Sequence, residues 1–188
     1  MTEDHIRGSL YALVDDVLAG LGYHGDDPHF DRTPERFIDF LWQFRADQEP
    51  FKFTTFPNTE GLDSLVVVGD IPFYSMCAHH MVPFIGKAHV GYIPDQEIAG
   101  ISKLARAVEY FARRLTVQET ITNKIVELLV ERLAPLGCGV VMQAEHLCMS
   151  MRGVQKPGHL TTTSALRGVM LKEPEAREEF LSFVSLRR

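Results

Sequence analysis

Between residues 75 and 84 the chain sets one thiol and two imidazoles, Cys77, His79 and His80, among apolar neighbours. Cysteine sulfur and histidine nitrogen are the usual ligands of zinc, and Cys77-x-x-His80 has a common ligand-pair spacing. Two ligands leave a tetrahedral site incomplete. Cys148, in the downstream segment Glu145-His146-Leu147-Cys148, would supply a third. Three protein ligands with a fourth position left for water is the open arrangement of a catalytic zinc (Zn2+) rather than the closed one of a structural zinc. Spacing leaves a plainer reading open, with Cys77 and Cys148 as buried apolar thiols. His79 falls between two proposed ligands and His146 two residues before the third. Imidazoles titrate near neutral pH, so both are well placed to carry protons.

A second group of residues suits an anion. Gly100-Ile101-Ser102-Lys103 precedes a stretch of helical period and would offer free N–H groups, a hydroxyl and an ammonium to a phosphate. A capped helix with solvated Lys103 and Arg106 accounts for the same residues. Thr116-x-x-Glu119 has the form of a capping box, which would occupy Glu119 in closing a helix. The net charge of −6 argues against broad nucleic-acid binding. It leaves room for a small anionic substrate held by basic residues gathered in one cleft. The H-x-E and P-C-x-x-C signatures of a cytidine-type zinc deaminase are absent.

These groups need a scaffold, and 188 residues make one domain with a substantial core. With 45% hydrophobic and 23% charged residues, the composition is that of an ordinary globular protein. No apolar run reaches the length of a membrane span, and Met1-Thr2-Glu3-Asp4 does not open a signal peptide. Three cysteines argue against a disulfide framework. The expectation is a cytoplasmic protein.

An N-terminal helical region is expected over residues 1–48. Its first helix spans about 4–23, with Ile6, Leu10, Leu13, Val14, Val17, Leu18 and Leu21 on one face, and Gly25-Asp26-Asp27-Pro28 breaks it. Thr33-Pro34 then reads as an N-cap and first helical residue of a helix to about Phe44 that buries Phe37, Phe40 and Leu41. The core, residues 62–188, opens with strands near 64–68 and 87–93. Helices follow near 102–115 and 116–133, then strands near 139–144 and 164–171. A last helix from Pro174 buries Phe180, Phe183 and Val184. That order implies an α+β fold, an antiparallel ββααββ sheet with helices on one face. Its two exposed edges are a liability that subunit association can cover.

Five motifs run in order from about Thr33 to Phe183: Cys77-Ala78-His79-His80, Gly100 to Arg106, Val117-Gln118-Glu119, Glu145 to Val154, and Thr163 to Gly168. Together they resemble GTP cyclohydrolase I. The resemblance implies the tunnelling fold, with sheets joined edge to edge into a barrel-like ring and two pentamers stacked as a homodecamer. It implies hydrolysis and rearrangement of GTP to 7,8-dihydroneopterin triphosphate with release of formate, the first step of folate and pterin biosynthesis. By the same resemblance Cys77, His80 and Cys148 hold zinc, while His79, His146, Ser102 and Gln118 serve the chemistry. Glu119 recognises guanine, Lys103, Arg106 and Arg152 line the triphosphate, and Arg36 reaches a neighbouring subunit's site. One position departs from the pattern: the family usually has Glu where this chain has Ala78. Alternatives are a member altered there that stops at an early formamide or takes another purine nucleotide, and a non-catalytic zinc- or nucleotide-binding protein.

Overall fold

The computed structural model describes residues 3–23 and 27–185. Gly25 and Asp26, within the expected break after the first helix, lie outside the described residues. Backbone contacts divide the chain into two compact units, Met1–Arg45 and Ala46–Arg188.

The first unit is a pair of helices, α1 (Glu3–Gly20) and α2 (Thr33–Trp42). Pro34 stands in the first turn of α2 as expected, but the N-cap residue is Arg32, and no side chain closes the cap. The Thr33 hydroxyl instead reaches back to the His29 carbonyl at 3.5 Å. Arg7 joins the two helices through an ion pair with Asp39 and a position over the Trp42 ring, 5.1 Å from its centroid. Ile38 and Phe44 are buried, whereas Phe37 and Phe40, expected inside, are 46% and 37% exposed. Two helices bury only the stripes that face each other, so apolar residues beyond that seam stay open.

The second unit is built on a five-stranded sheet in the order β5-β2-β3-β6-β7. Its strands are β2 (Val66–Cys77), β3 (Pro83–Ile93), β5 (Leu115–Thr116), β6 (Gly137–His146) and β7 (Leu160–Gly168). A separate short pair joins β1 (Thr55–Pro57) to β4 (Glu97–Ala99). The four long strands are antiparallel, and only β5 runs parallel to its neighbour. Helices α3 (Ile101–Ala112) and α4 (Gln118–Leu133) lie between β3 and β6 in the chain, which is the expected ββααββ order. Both cover one face of the sheet, where Phe73, Phe84, Leu104, Ile121, Ile125, Leu129 and Met142 are at most 2% exposed. After β7 come α5's later counterparts, α6 (Val169–Lys172) and α7 (Pro174–Ser185), while α5 itself (Leu147–Ser150) follows β6.

The opposite face is closed over part of its length by α7. Phe180 and Val184 are buried there with Val141 and Met170, while Phe183 is 40% exposed. Gly91 and Gly139 stand opposite each other in β3 and β6, and a Cβ on either would come within 2.9 Å of the Phe180 ring. Their missing side chains form the slot that Phe180 fills. Strand β7 ends at Gly168, short of the expected 171. There φ is +62°, and a Cβ would lie 2.1 Å from the Leu136 carbonyl oxygen, so the turn into α6 requires glycine.

Strand β2 is longer than its valine run. Val66 and Val68 face α3 and α4, and so do Ile71 and Phe73, although alternation should have turned odd positions away. A bulge between Val68 and Ile71 absorbs one extra residue and restores the inward face, with Asp70 at φ +55°. The Asp70 N–H donates to His89 Nδ1 at 3.3 Å, and its carboxylate pairs with Lys87 at 3.0 Å. Gly69-Asp70 reads in sequence as the end of a strand. In the structure it carries the strand on to Cys77.

Candidate active site

Sheet register explains why distant cysteines meet. Phe84 of β3 stands opposite Ser75 of β2 on one side and His146 of β6 on the other. Cys77 and Cys148 each lie two residues beyond those partners, so both arrive at the same end of the sheet. Cys77 closes β2, and the turn that follows is held by Met81 N–H to the Cys77 carbonyl at 2.8 Å and Cys77 N–H to the Val82 carbonyl at 3.0 Å. Cys148 sits in α5, the short helix that caps the end of β6.

The ligand atoms of Cys77, His80 and Cys148 all lie within 4.8 Å of one another. Around a tetrahedral zinc, sulfur and nitrogen ligands stand roughly 3.5–3.8 Å apart, a difference that small side-chain rotations cover. All three cysteines are free thiols. Burial, then the adjacent Cys77 thiol, raise the pKa of Cys148, against a smaller pull from Arg152. A divalent cation relieves that conflict by taking both sulfurs as thiolates, so the donor set fits zinc. His79 is as near as His80: their Nδ1 atoms lie 3.9 and 4.0 Å from Cys77 Sγ. The two rings are 6.2 Å apart and steeply inclined.

His146 is the last residue of β6, and its ring lies flat on Phe84 with centroids 4.5 Å apart. Its Nε2 is 2.8 Å from Oε1 of Gln118. Burial lowers the His146 pKa, and the charge of Glu119 opposes the shift. Gln118, expected among the residues that serve the chemistry directly, has no exposed surface. Its side chain meets the site through the bond to His146. Thr116 and Glu119 do not form the expected capping box: Val117 is the N-cap of α4, with no side-chain bond. Glu119 is therefore exposed on the first turn, with its carboxylate not committed to closing that helix.

Ser102, Lys103 and Arg106 lie on the first two turns of α3, behind Gly100 at the N-cap. Ser102 and Arg106 are exposed and Lys103 is half-buried. Arg106 also borders a cavity of about 310 Å³ between α3 and β2, lined by Phe73, Tyr74, Glu109 and Arg113. Arg152 is exposed on the loop after α5. Glu145 pins that loop, with Oε1 accepting from the Ser150 hydroxyl at 2.6 Å and the Gly158 N–H at 2.9 Å. Arg36 is exposed on α2, in the first unit. Ala78 is exposed in the turn after Cys77, its N–H donating to the Thr116 carbonyl at 3.0 Å.

Sequence reading missed Phe84, Thr122 and Thr163. Phe84 closes the very segment that carries the ligands, and that was its only sequence signal. Thr122 lies one helical turn from Gln118 in α4, and Thr163 opens one of the five motifs, but only the fold brings Thr163 to Gln118.

Comparison with known proteins agrees with this geometry. The family model described as GTP cyclohydrolase I matches residues 10–185. GTP cyclohydrolase 1 of Aquifex aeolicus (strain VF5) is 50% identical over 167 residues, covering 89% of this chain and 90% of that one. GTP cyclohydrolase 1 of Hydrogenobaculum sp. (strain Y04AAS1) is 44% identical, covering 89% and 91%. Among solved structures, the archaeosine synthase QueF-Like in the apo form aligns with 56% of this chain and 94% of its own, at 18% identity and a TM-score of 0.47. That last likeness is too distant to bear on the site. A family model that spans nearly the whole chain, and relatives of matching length at this identity, lead to one conclusion: the chain belongs to the GTP cyclohydrolase I family.

Proposed function

We propose that the protein is a zinc-dependent GTP cyclohydrolase that converts GTP to 7,8-dihydroneopterin triphosphate and formate. The observation that carries this is the convergence of Cys77, His80 and Cys148 beside His79 and His146 in a chain of this family. Zinc held by those three residues would supply Lewis acidity and bring the pKa of a water molecule toward neutrality. His146 moves a proton at the imidazole ring of the purine, with the flat face of Phe84 holding its ring in plane. His79, exposed next to Cys77, serves the later proton transfers as the ribose opens and recloses, with the Ser102 hydroxyl assisting.

Glu119 accepts hydrogen bonds from guanine N1–H and the 2-amino group, a pattern adenine cannot offer. Two observations support it: its carboxylate has no capping role, and its charge is felt at His146. Lys103, Arg106 and Arg152 take the triphosphate, for which the planar guanidinium forks are suited. Arg36 completes a neighbouring copy's site in a homodecamer of about 212 kDa, ten chains of 21.2 kDa. Exposed apolar residues support association: Tyr74 at 58%, Ile85 at 43% and Leu160 at 60% stand on the sheet, and Leu13, Val17 and Leu21 on or beside α1. No described helix is long and apolar enough to cross a membrane, and the setting proposed is the cytoplasm.

The deciding experiment incubates the zinc-loaded protein with GTP and follows formate together with the fluorescence of the oxidised pterin. Both should appear in equal amounts. Absence of both refutes the reading, and a formamide without pterin would mark a chain arrested by Ala78.

A further inference from the structure

Gln118 is fully buried, and every polar atom of its side chain is committed. Its Nε2 lies 3.1 Å from the Met142 carbonyl, 3.0 Å from the Thr161 carbonyl and 3.1 Å from Thr163 Oγ1. Two of those acceptors are backbone carbonyls, which cannot donate. The amide is thereby oriented, because the flipped form would set its oxygen against two carbonyl oxygens. The hydroxyls reinforce the choice. Thr122 Oγ1 lies 2.9 Å from the Gln118 carbonyl and 2.7 Å from Thr163 Oγ1. With Thr122 donating to the carbonyl, Thr163 donates to Thr122, and the two Nε2 hydrogens of Gln118 are shared among Thr163 Oγ1 and the two backbone carbonyls.

What remains is Oε1, an acceptor only, 2.8 Å from His146 Nε2. Nε2 must carry the hydrogen. We propose that Gln118 is a positioning residue that holds the neutral His146 ring in its Nε2–H form, so that Nδ1 is the nitrogen that exchanges a proton with the substrate. Among the described residues Nδ1 makes no hydrogen bond, and the ring is kept from swinging by its stack on Phe84. In the step this implies, Nδ1 takes a proton from water through its lone pair and hands it to a purine nitrogen, while the hydroxide left behind adds to the adjoining carbon of the imidazole ring. The neutral Nε2–H ring is then restored. The identity of the proton acceptor rests on the GTP cyclohydrolase reading; the tautomer does not.

The test uses zinc-loaded protein with ¹⁵N-labelled histidine rings, studied by solid-state NMR at a pH well above the ordinary imidazole pKa of about 6.5. The His146 signal is assigned by its loss in His146→Asn. Protonated Nε2 with bare Nδ1 is expected, and the reverse overturns the proposal whatever the protein does to GTP. Gln118→Met removes the acceptor at similar volume. The Nδ1–H form should then appear, and kcat should fall about 10- to 100-fold, a share of what a positioned acid–base group contributes. KM for GTP should stay within about threefold, as for a group that acts in the transition state. An unchanged tautomer with unchanged kcat refutes the role. Should Gln118→Met not fold, Thr163→Val loosens the amide from the far side and should lower kcat, with Thr163→Ser restoring it. A Thr163→Val protein of full activity and unmixed tautomer counts against the network. If the unaltered protein has the expected tautomer but never turns over GTP, the functional reading fails and the positioning role stands.

Discussion

Strand β6 has a cysteine at either end, and the two have opposite fates. Cys138 stands between Tyr92 and Arg167 on the neighbouring strands, with no exposed surface. Burial pushes its thiol up to about 11, against the pull of Arg167. Cys148, two residues past the other end, is partly exposed and has a second thiol and an imidazole within 4.8 Å. Burial alone makes a thiol inert. A ligand needs convergence with other donors and an opening to solvent, and β6 has those only at the end of the sheet where β2 finishes and β3 begins.

The contrast is broken most directly by removing each thiol. Cys77→Ser and Cys148→Ser should lose stoichiometric zinc and about 10³-fold or more of formate release, because hydroxide supply near neutral pH goes with the metal. Cys138→Ala should keep zinc and turnover and lose about 1 kcal/mol of stability from a small cavity. Metal analysis and formate assay on the three proteins check this, and a zinc-free Cys138→Ala would erase the distinction between the ends. The end remote from Cys148 can be strained in its own way. Gly139→Ala sets a Cβ 2.6 Å from Leu166 and 2.9 Å from the Phe180 ring. Overpacking there should cost about 1–3 kcal/mol in denaturant unfolding while the zinc content stays at one per chain.

A gentler probe is alkylation. In metal-free protein Cys148 should react with iodoacetamide first and Cys138 only on unfolding, and added zinc should protect Cys148. Peptide mapping reads the order, and early labelling of Cys138 would mean that its end of the sheet opens. The smallest effect concerns acid. Ser150 and the Gly158 N–H hold the Glu145 carboxyl below its ordinary value. A carboxylate with a lowered folded pKa contributes stability above its unfolded value of about 4.5, and that stability is lost as pH falls through the folded value. Ser150→Ala removes the larger cause, so acid unfolding should begin at a slightly higher pH. An unmoved midpoint would show that Glu145 does not tether the Arg152 loop in solution.

The element order was legible because it depends on local pattern, and a group able to hold a metal could be picked out by residue chemistry. Three valines announce β2, and the apolar periods of α3 and α4 separate it from β6. Cys77, His80 and Cys148 could be grouped by ligand chemistry before any fold was known. Beyond that, long-range geometry decides. The strand through Cys77 was hidden by Gly69-Asp70, a turn signature that the β2–β3 ladder absorbs as a bulge. Thr116 and Glu119 have capping-box spacing, yet Thr116 is paired as β5 and leaves Val117 at the helix start. Family resemblance alone groups Gln118 with the residues that serve the chemistry, and no local pattern gives its side-chain partners. Its buried role depends on Thr163, 45 positions away, and on His146, 28 positions away. Phe37 and Phe40 were assigned to a core that the α1–α2 pair is too thin to provide.

The extra residue at Asp70 also governs how this chain can change length. Between the bulge and Cys77 the strand has no slack: losing or gaining one residue there swaps the faces and turns the thiol away from Cys148. At 69–70 the ladder already stores one surplus residue, so a deletion there straightens the strand and leaves Ile71 opposite Ala88. Strand β2 thus has a frame-tolerant joint upstream of Cys77. Loop grafts or circular permutants that enter before that joint can be trimmed by one residue without moving the metal end. Those that enter after it must come in pairs, each pair shifting Cys77 along the strand axis by about 6.8 Å.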